Sequence, residues 1–192
     1  MKQWLRKLFH GAEILLERAR GVDFTVEIDA REENHTKYAA STPLIHGILK
    51  EYFSRMNIGG DDSILDVGCG KGRMIYFFSR LPFGKVGGVE YEEDIYRICR
   101  NNLSKLNVYR VSVSCADAAK FDGYDEYNWF YAFNPFQKDI MQGFIDRLKE
   151  SKDRKDRNIR VVYFNPTELD MFIENGFCID EELPHRIVVL SL

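Results

Sequence analysis

The chain of 192 residues has no C-x-x-C pair among its four cysteines, Cys69, Cys99, Cys115 and Cys178. Three of them sit in or beside apolar runs and read as buried free thiols, which fits a reducing, cytoplasmic setting. Its four histidines (His10, His35, His46 and His185) are scattered without metal-ligand spacing. They form no His/Asp pair that would suggest a general base. No apolar run approaches the roughly 18 residues needed to span a bilayer. The first residues lack the uninterrupted apolar core and small-residue cleavage site of a signal peptide. A net charge of -3 and a pI near 5.9 exclude a global basic field that would draw the chain to nucleic acid.

What the chain does have is apolar material, 45% hydrophobic and 14% aromatic, enough for one domain with a sizeable core. Its most informative stretch is Ser-Ile-Leu-Asp-Val-Gly-Cys-Gly-Lys-Gly-Arg-Met-Ile, residues 63–75. A short apolar run, Ile64, Leu65 and Val67, meets Gly68, Gly70 and Gly72, and a helix-like segment follows. This predicts a buried strand, a glycine turn that lets backbone approach a ligand, and a helix N-terminus whose N–H groups favour polar or anionic atoms. Asp66 adds a carboxylate just before the turn. A second strand, Val86-Gly87-Gly88-Val89-Glu90, ends in an acid 22 positions after Gly68. A carboxylate there is placed to accept both ribose hydroxyls of a nucleoside. A dinucleotide fingerprint would need glycine at position 73, where Arg73 stands.

Elsewhere, helical and strand-like periods alternate. Residues 1–20 read as a basic amphipathic helix carrying Trp4, Leu5, Leu8, Phe9, Ala12, Leu15, Leu16 and Ala19. It would either pack by that stripe or face a membrane surface or substrate. Val22, Phe24, Val26 and Ile28 alternate with polar residues, an extra edge strand or a partner contact. Ser41-Thr42-Pro43 predicts a helix start. Helices over 71–80, 94–106, 137–149 and 167–175 then separate strands over 63–67, 86–91, 108–115, 128–134 and 159–164. Two last strands, 177–182 and 186–192, are joined around Pro184-His185. Strands separated by helices imply a parallel α/β sheet. The short final turn forces its two strands antiparallel. The charged run from Arg147 to Arg160 reads as a solvated loop on the side of the sheet opposite the cleft.

The spacing Asp-x-Gly-x-Gly-x-Gly resembles motif I of the class I S-adenosylmethionine-dependent methyltransferases. The likeness extends to Gly-Val-Glu, Asn-Pro-Phe and the Tyr-Phe-Asn-Pro stretch at 163–166, as in small bacterial members with no established acceptor. It implies a doubly wound, mostly parallel seven-stranded sheet with an antiparallel last strand. The methyltransferase domain would span 38–192, and residues 1–37 would be an extension, a partial lid and an additional surface for self-association. The resemblance makes S-adenosylmethionine the cofactor. It places methionine near Asp66, Gly68, Cys69, Gly70 and Gly72, ribose at Glu90, and adenine near Tyr91, Asp117 and the Ala118 N–H. Asp117 reads equally as a cap or turn residue.

Asn134-Pro135-Phe136 falls where the family's motif IV lies, beside the transferable methyl. It is similar to the Asn-Pro-Pro-Tyr/Phe motif of amino and amide methyltransferases, with one proline missing. That implies Asn134 as the catalytic residue, holding a planar nitrogen acceptor, with Pro135 and Phe136 flanking it. Asn134 and Pro135 also read as an ordinary helix cap and first turn. Tyr38, Ser41 and Thr42, ahead of the first core helix, would line the acceptor pocket or simply cap that helix. A cofactor- or partner-binding module that keeps this fold without turnover is the competing reading.

Overall fold

The structure, a computed structural model, describes residues 15–24, 43–133, 136 and 138–192, with backbone only at 43 and 44. Seven strands form one sheet: β1 (Ser63–Val67), β2 (Lys85–Glu90), β3 (Val111–Cys115), β4 (Trp129–Phe133), β5 (Arg160–Phe164), β6 (Cys178–Leu183) and β7 (Ile187–Ser191). Their order is β3-β2-β1-β4-β5-β7-β6. The first five run parallel, and β7 pairs antiparallel with both β5 and β6. The expected antiparallel last strand is therefore inserted between β5 and β6. His185 and Arg186 turn the hairpin at φ 63° and 60°, the paired left-handed geometry that matches strand twist.

Helices α1 (Pro43–Arg55), α2 (Arg73–Phe78), α3 (Glu93–Lys105), α4 (Lys138–Arg154) and α5 (Leu169–Glu174) flank the sheet. β1 is buried along its whole length, so it reads as a continuous apolar run rather than an alternating one. One core layer gathers Leu49, Phe53, Ile75, Phe78 and Trp129. The other, across the sheet, gathers Val67, Phe130, Phe144, Leu148 and Phe172 beneath α4 and α5. Both faces are thus covered, and function is left to the rim where the strands end.

Several expectations need correction. α2 begins at Arg73 because Gly72 adopts φ 87°, a left-handed conformation that cannot start a right-handed turn earlier. β3 begins at Val111, since Asn107 (φ 57°) and the Val108 N–H bonded to Leu103 O are used in leaving α3. Only the end of the charged run is a loop: α4 continues to Arg154, its exposed face carrying Arg147–Glu150 and Arg154–Glu150 pairs, and residues 155–159 then lead into β5. Beyond the helix, Arg157 donates to the carbonyls of Tyr124, Tyr127, Ser151 and Lys155 and to Ser151 Oγ, so its charge fastens backbone. Cys69 and Cys99 are buried, but Cys115 and Cys178 are exposed because both lie on edge strands.

At the N-terminus, residues 15–20 are helical, yet Leu15 and Leu16 are exposed and Glu17 is the buried residue. Val22 to Phe24 carry no strand; the rest of that expected strand, and most of the amphipathic helix, lie outside the described residues.

Candidate cofactor and acceptor site

The carboxyl ends of β1, β2 and β4 lie side by side, so the glycine loop, Glu90 and Phe133 converge on one rim. At Gly68 the chain leaves β1 with φ 76°. The N–H groups of Gly68 and Cys69 both donate to Val89 O at 2.9 Å, which ties the loop to the end of β2. A Cβ on Gly72 would lie 2.6 Å from Cys99 Sγ, so α3 packs where a side chain would stand. Glu90 is 5% exposed. Its Oε2 accepts the Gly70 N–H at 2.8 Å and its Oε1 accepts the Glu92 N–H at 3.0 Å. Each carboxylate oxygen keeps a second lone pair for a further donor. Glu90 therefore organises the glycine loop as well as offering acceptors at the rim.

Asp66 is buried beneath the loop, and its carboxyl is pushed well above the usual range by burial and by neighbouring Glu90. Burial likewise raises Glu90, against hydrogen bonds from the Glu92, Gly70 and Tyr91 backbone that lower it. Two buried carboxyl groups favour a ligand that brings positive charge or hydroxyl donors. Tyr131 pairs in register with Asp66, and its hydroxyl is buried without a hydrogen-bond partner among the described residues. Tyr131 was invisible to motif reasoning because it lies inside an apolar strand.

The adenine candidates stand at the end of β3 and beside Glu90. Asp117 Oδ1 accepts the Ala119 N–H at 2.9 Å and Oδ2 pairs with Lys120 at 3.1 Å, so this carboxylate does cap its own turn. Ala118 is buried, with its carbonyl accepting the Tyr124 hydroxyl at 2.8 Å. Tyr91 is two-thirds exposed, which leaves its ring accessible.

At the ends of β4 and β5, Phe133 and Phe164 are register partners and stack at 4.1 Å. Asn165 follows with φ 53°. Phe136 is half-buried and meets Phe144 edge-on at 6.3 Å, so part of its ring is already spent on the core. Tyr38, Ser41, Thr42, Asn134 and Pro135 lie outside the described residues. Among the described residues no group of histidine, cysteine, aspartate or glutamate side chains could hold a metal ion. Nor is any described helix long and apolar enough to cross a membrane.

Glycine backbone at left-handed φ and a buried strand-end glutamate with free lone pairs for hydroxyl donors fit S-adenosylmethionine, and the sheet order is that of the class I methyltransferases. Solved structures agree on the fold. The chain is similar to a ribosomal protein L11 methylase from Lactobacillus delbrueckii subsp. bulgaricus (TM-score 0.59, 17% identity, covering 79% of this chain and 78% of that one). It is also similar to an RNA methyltransferase from Salinibacter ruber in complex with S-adenosyl-L-homocysteine (TM-score 0.56, 15% identity, 80% and 92%). A third is the magnesium protoporphyrin IX methyltransferase from Synechocystis PCC 6803 with bound S-adenosylmethionine (TM-score 0.56, 17% identity, 77% and 76%). A search of curated proteins gives no match.

The model of one family, protein-L-isoaspartate(D-aspartate) O-methyltransferase, matches residues 22–151. The chain belongs to that family, and its cofactor is S-adenosylmethionine.

Proposed function

We propose that this protein transfers the methyl group of S-adenosylmethionine to a planar amine or amide nitrogen held at the ends of β4 and β5. The observation that carries this reading is the Phe133–Phe164 stack, beside the glycine loop and directly before Asn134-Pro135-Phe136 in the chain. The tripeptide Phe-Asn-Pro occurs at 133–135 and again at 164–166, so the same three residue types follow one another where β4 and β5 end in the sequence. Aromatic rings suit a flat acceptor, and a carboxamide can accept from its N–H. The cofactor would be held by Asp66, Gly68, Cys69, Gly70 and Gly72 at its methionine part. Glu90 would take the ribose, and Tyr91, Asp117 and Ala118 the adenine. Methyl transfer from a sulfonium to a good nucleophile depends on in-line placement more than on a base, which suits a rim that shows no His/Asp pair among the described residues.

The family match favours a second acceptor, the carboxylate of an isoaspartyl residue, as its name states. The two differ in a measurable way. The protein is incubated with methyl-labelled S-adenosylmethionine and, separately, an isoaspartyl peptide, glutamine- and asparagine-containing peptides, and ribosomal RNA. Products are then treated with mild alkali. The nitrogen reading expects label that survives alkali on a peptide or RNA nitrogen. Label released as methanol from the isoaspartyl peptide is an ester and overturns it. Tight cofactor binding without transfer to any of these would leave the non-catalytic module as the better account.

A further inference from the structure

The glycine loop carries two cations, Lys71 and Arg73, on either side of Gly72, and both are held by residues from the N-terminal segment. Lys71 is 6% exposed, and its Nζ donates to Asp23 Oδ2 at 2.8 Å. Arg73 pairs with Glu17, both side chains nearly buried. Glu17 also accepts the Phe24 N–H through Oε2 at 3.0 Å. Phe24 in turn lies under the Arg73 guanidinium at 5.5 Å and against the Tyr76 ring.

A third element joins loop and segment. Asn102 of α3 is 1% exposed. Its Oδ1 accepts the Asp23 N–H at 3.0 Å, and its Nδ2 donates to Asp23 O at 2.7 Å and to Lys71 O at 3.0 Å. One carboxamide therefore pairs with the backbone of Asp23 as a neighbouring strand would, and holds the Lys71 peptide of the loop with the same nitrogen. Buried hydrogen bonds of this kind are costly to leave unmade. The loop cannot move away from α3 without breaking the contact to Asn102. Nor can it do so without exposing or unpairing Lys71.

We infer that residues 17–24 form a clamp that sets the conformation of the cofactor loop, with Asn102 as the positioning residue joining the two. The N-terminal segment then contributes to cofactor affinity without touching the cofactor. The inference rests on the cofactor reading above, and its test separates the two. The full chain is prepared as wild type, Asp23→Ala, Asp23→Glu and Asn102→Ala. S-adenosylhomocysteine binding is measured by calorimetry, melting by scanning calorimetry, and hydrogen exchange at the backbone amides of residues 68–73 in the ligand-free protein. Asp23 is partly exposed on its side chain, so Asp23→Ala should stay folded even if Asn102→Ala does not.

The expected result is an affinity about tenfold weaker for Asp23→Ala, equivalent to roughly 1.4 kcal/mol. Loop amides should exchange faster, by more than the drop in melting point from the lost Lys71–Asp23 pair accounts for, and Asp23→Glu should retain most of the affinity. If Asp23→Ala binds S-adenosylhomocysteine like wild type and its loop amides exchange at the wild-type rate, the segment is ordinary packing and the clamp is wrong. Should wild type itself take no S-adenosylhomocysteine, the cofactor reading fails. The exchange rates still decide the clamp in that case.

Discussion

Gly88 offers a direct test of how the sheet supports the cofactor loop. It lies inside β2, paired with Asp66 on one side and Val113 on the other. A Cβ built there would lie 2.9 Å from Cys69 Sγ and 3.0 Å from Cys69 Cβ, and closer still to Ile75 Cδ1. Ile75 is fully buried and Cys69 nearly so, so neither retreats into solvent. Gly88→Ala therefore overpacks the layer beneath α2, at a cost of about 1–3 kcal/mol. For a chain of this size that lowers the melting temperature by about 2–12 °C. The strain falls on Cys69, a loop residue, so S-adenosylhomocysteine affinity should fall as well. Ile75→Val removes the Cδ1 atom that the new methyl meets first. By itself it should cost about 0.5–1.5 kcal/mol. The double variant should be more stable than the sum of the single effects by about 1 kcal/mol or more. Calorimetric melts of the four proteins measure that coupling. A Gly88→Ala protein that melts and binds like wild type, or strictly additive variants, would refute the packing argument.

Glu90→Ala should weaken S-adenosylhomocysteine binding by about 2–4 kcal/mol through lost charge-assisted hydrogen bonds. It should also destabilise the loop, because the Gly70 and Glu92 N–H groups lose their acceptor; titration calorimetry that finds an unchanged dissociation constant would move the ribose site. Asp66 has its carboxyl raised by burial, then by Glu90. The folded chain thus holds that proton more tightly than the unfolded chain, and the associated stability is lost as pH rises from the ordinary carboxylate range through the raised value. Asp66→Asn should therefore melt higher than wild type at about pH 7, an advantage that shrinks towards about pH 4. A lower melting point at neutral pH would mean that the ionised carboxylate is compensated. Arg157→Met keeps the apolar stem but drops the five hydrogen bonds to the ends of α4 and the Tyr124–Tyr127 turn, and should cost about 2–4 kcal/mol; an unchanged denaturation midpoint would return that residue to the solvent.

The local pattern of the chain was sufficient for the order of elements and the position of the loop. An apolar run ending in Asp66-Val67-Gly68 has little choice but to be a buried strand that turns. The apolar stretch ending in Glu90 is its neighbour because a short helix intervenes and crossovers are right-handed. The closing hairpin follows from a connection too short for a parallel return. In each case neighbours in sequence are neighbours in space, so periodicity carries the information.

The charge pairing is of another kind. With 27 basic and 30 acidic side chains, composition does not say which meet. Lys71 finds Asp23 across 48 positions, Arg73 finds Glu17 across 56, and Asn102 finds Asp23 across 79. The same holds for Phe133 against Phe164, which meet only because β4 and β5 pair in that register. Even Glu90, whose place at a strand end was legible, has a second role that was not. Its hydrogen bond to the Gly70 N–H exists because β1 and β2 are adjacent and parallel, so that both strands end at the same rim. Such contacts depend on how the sheet brings distant segments together, and a one-dimensional pattern has no term for that distance.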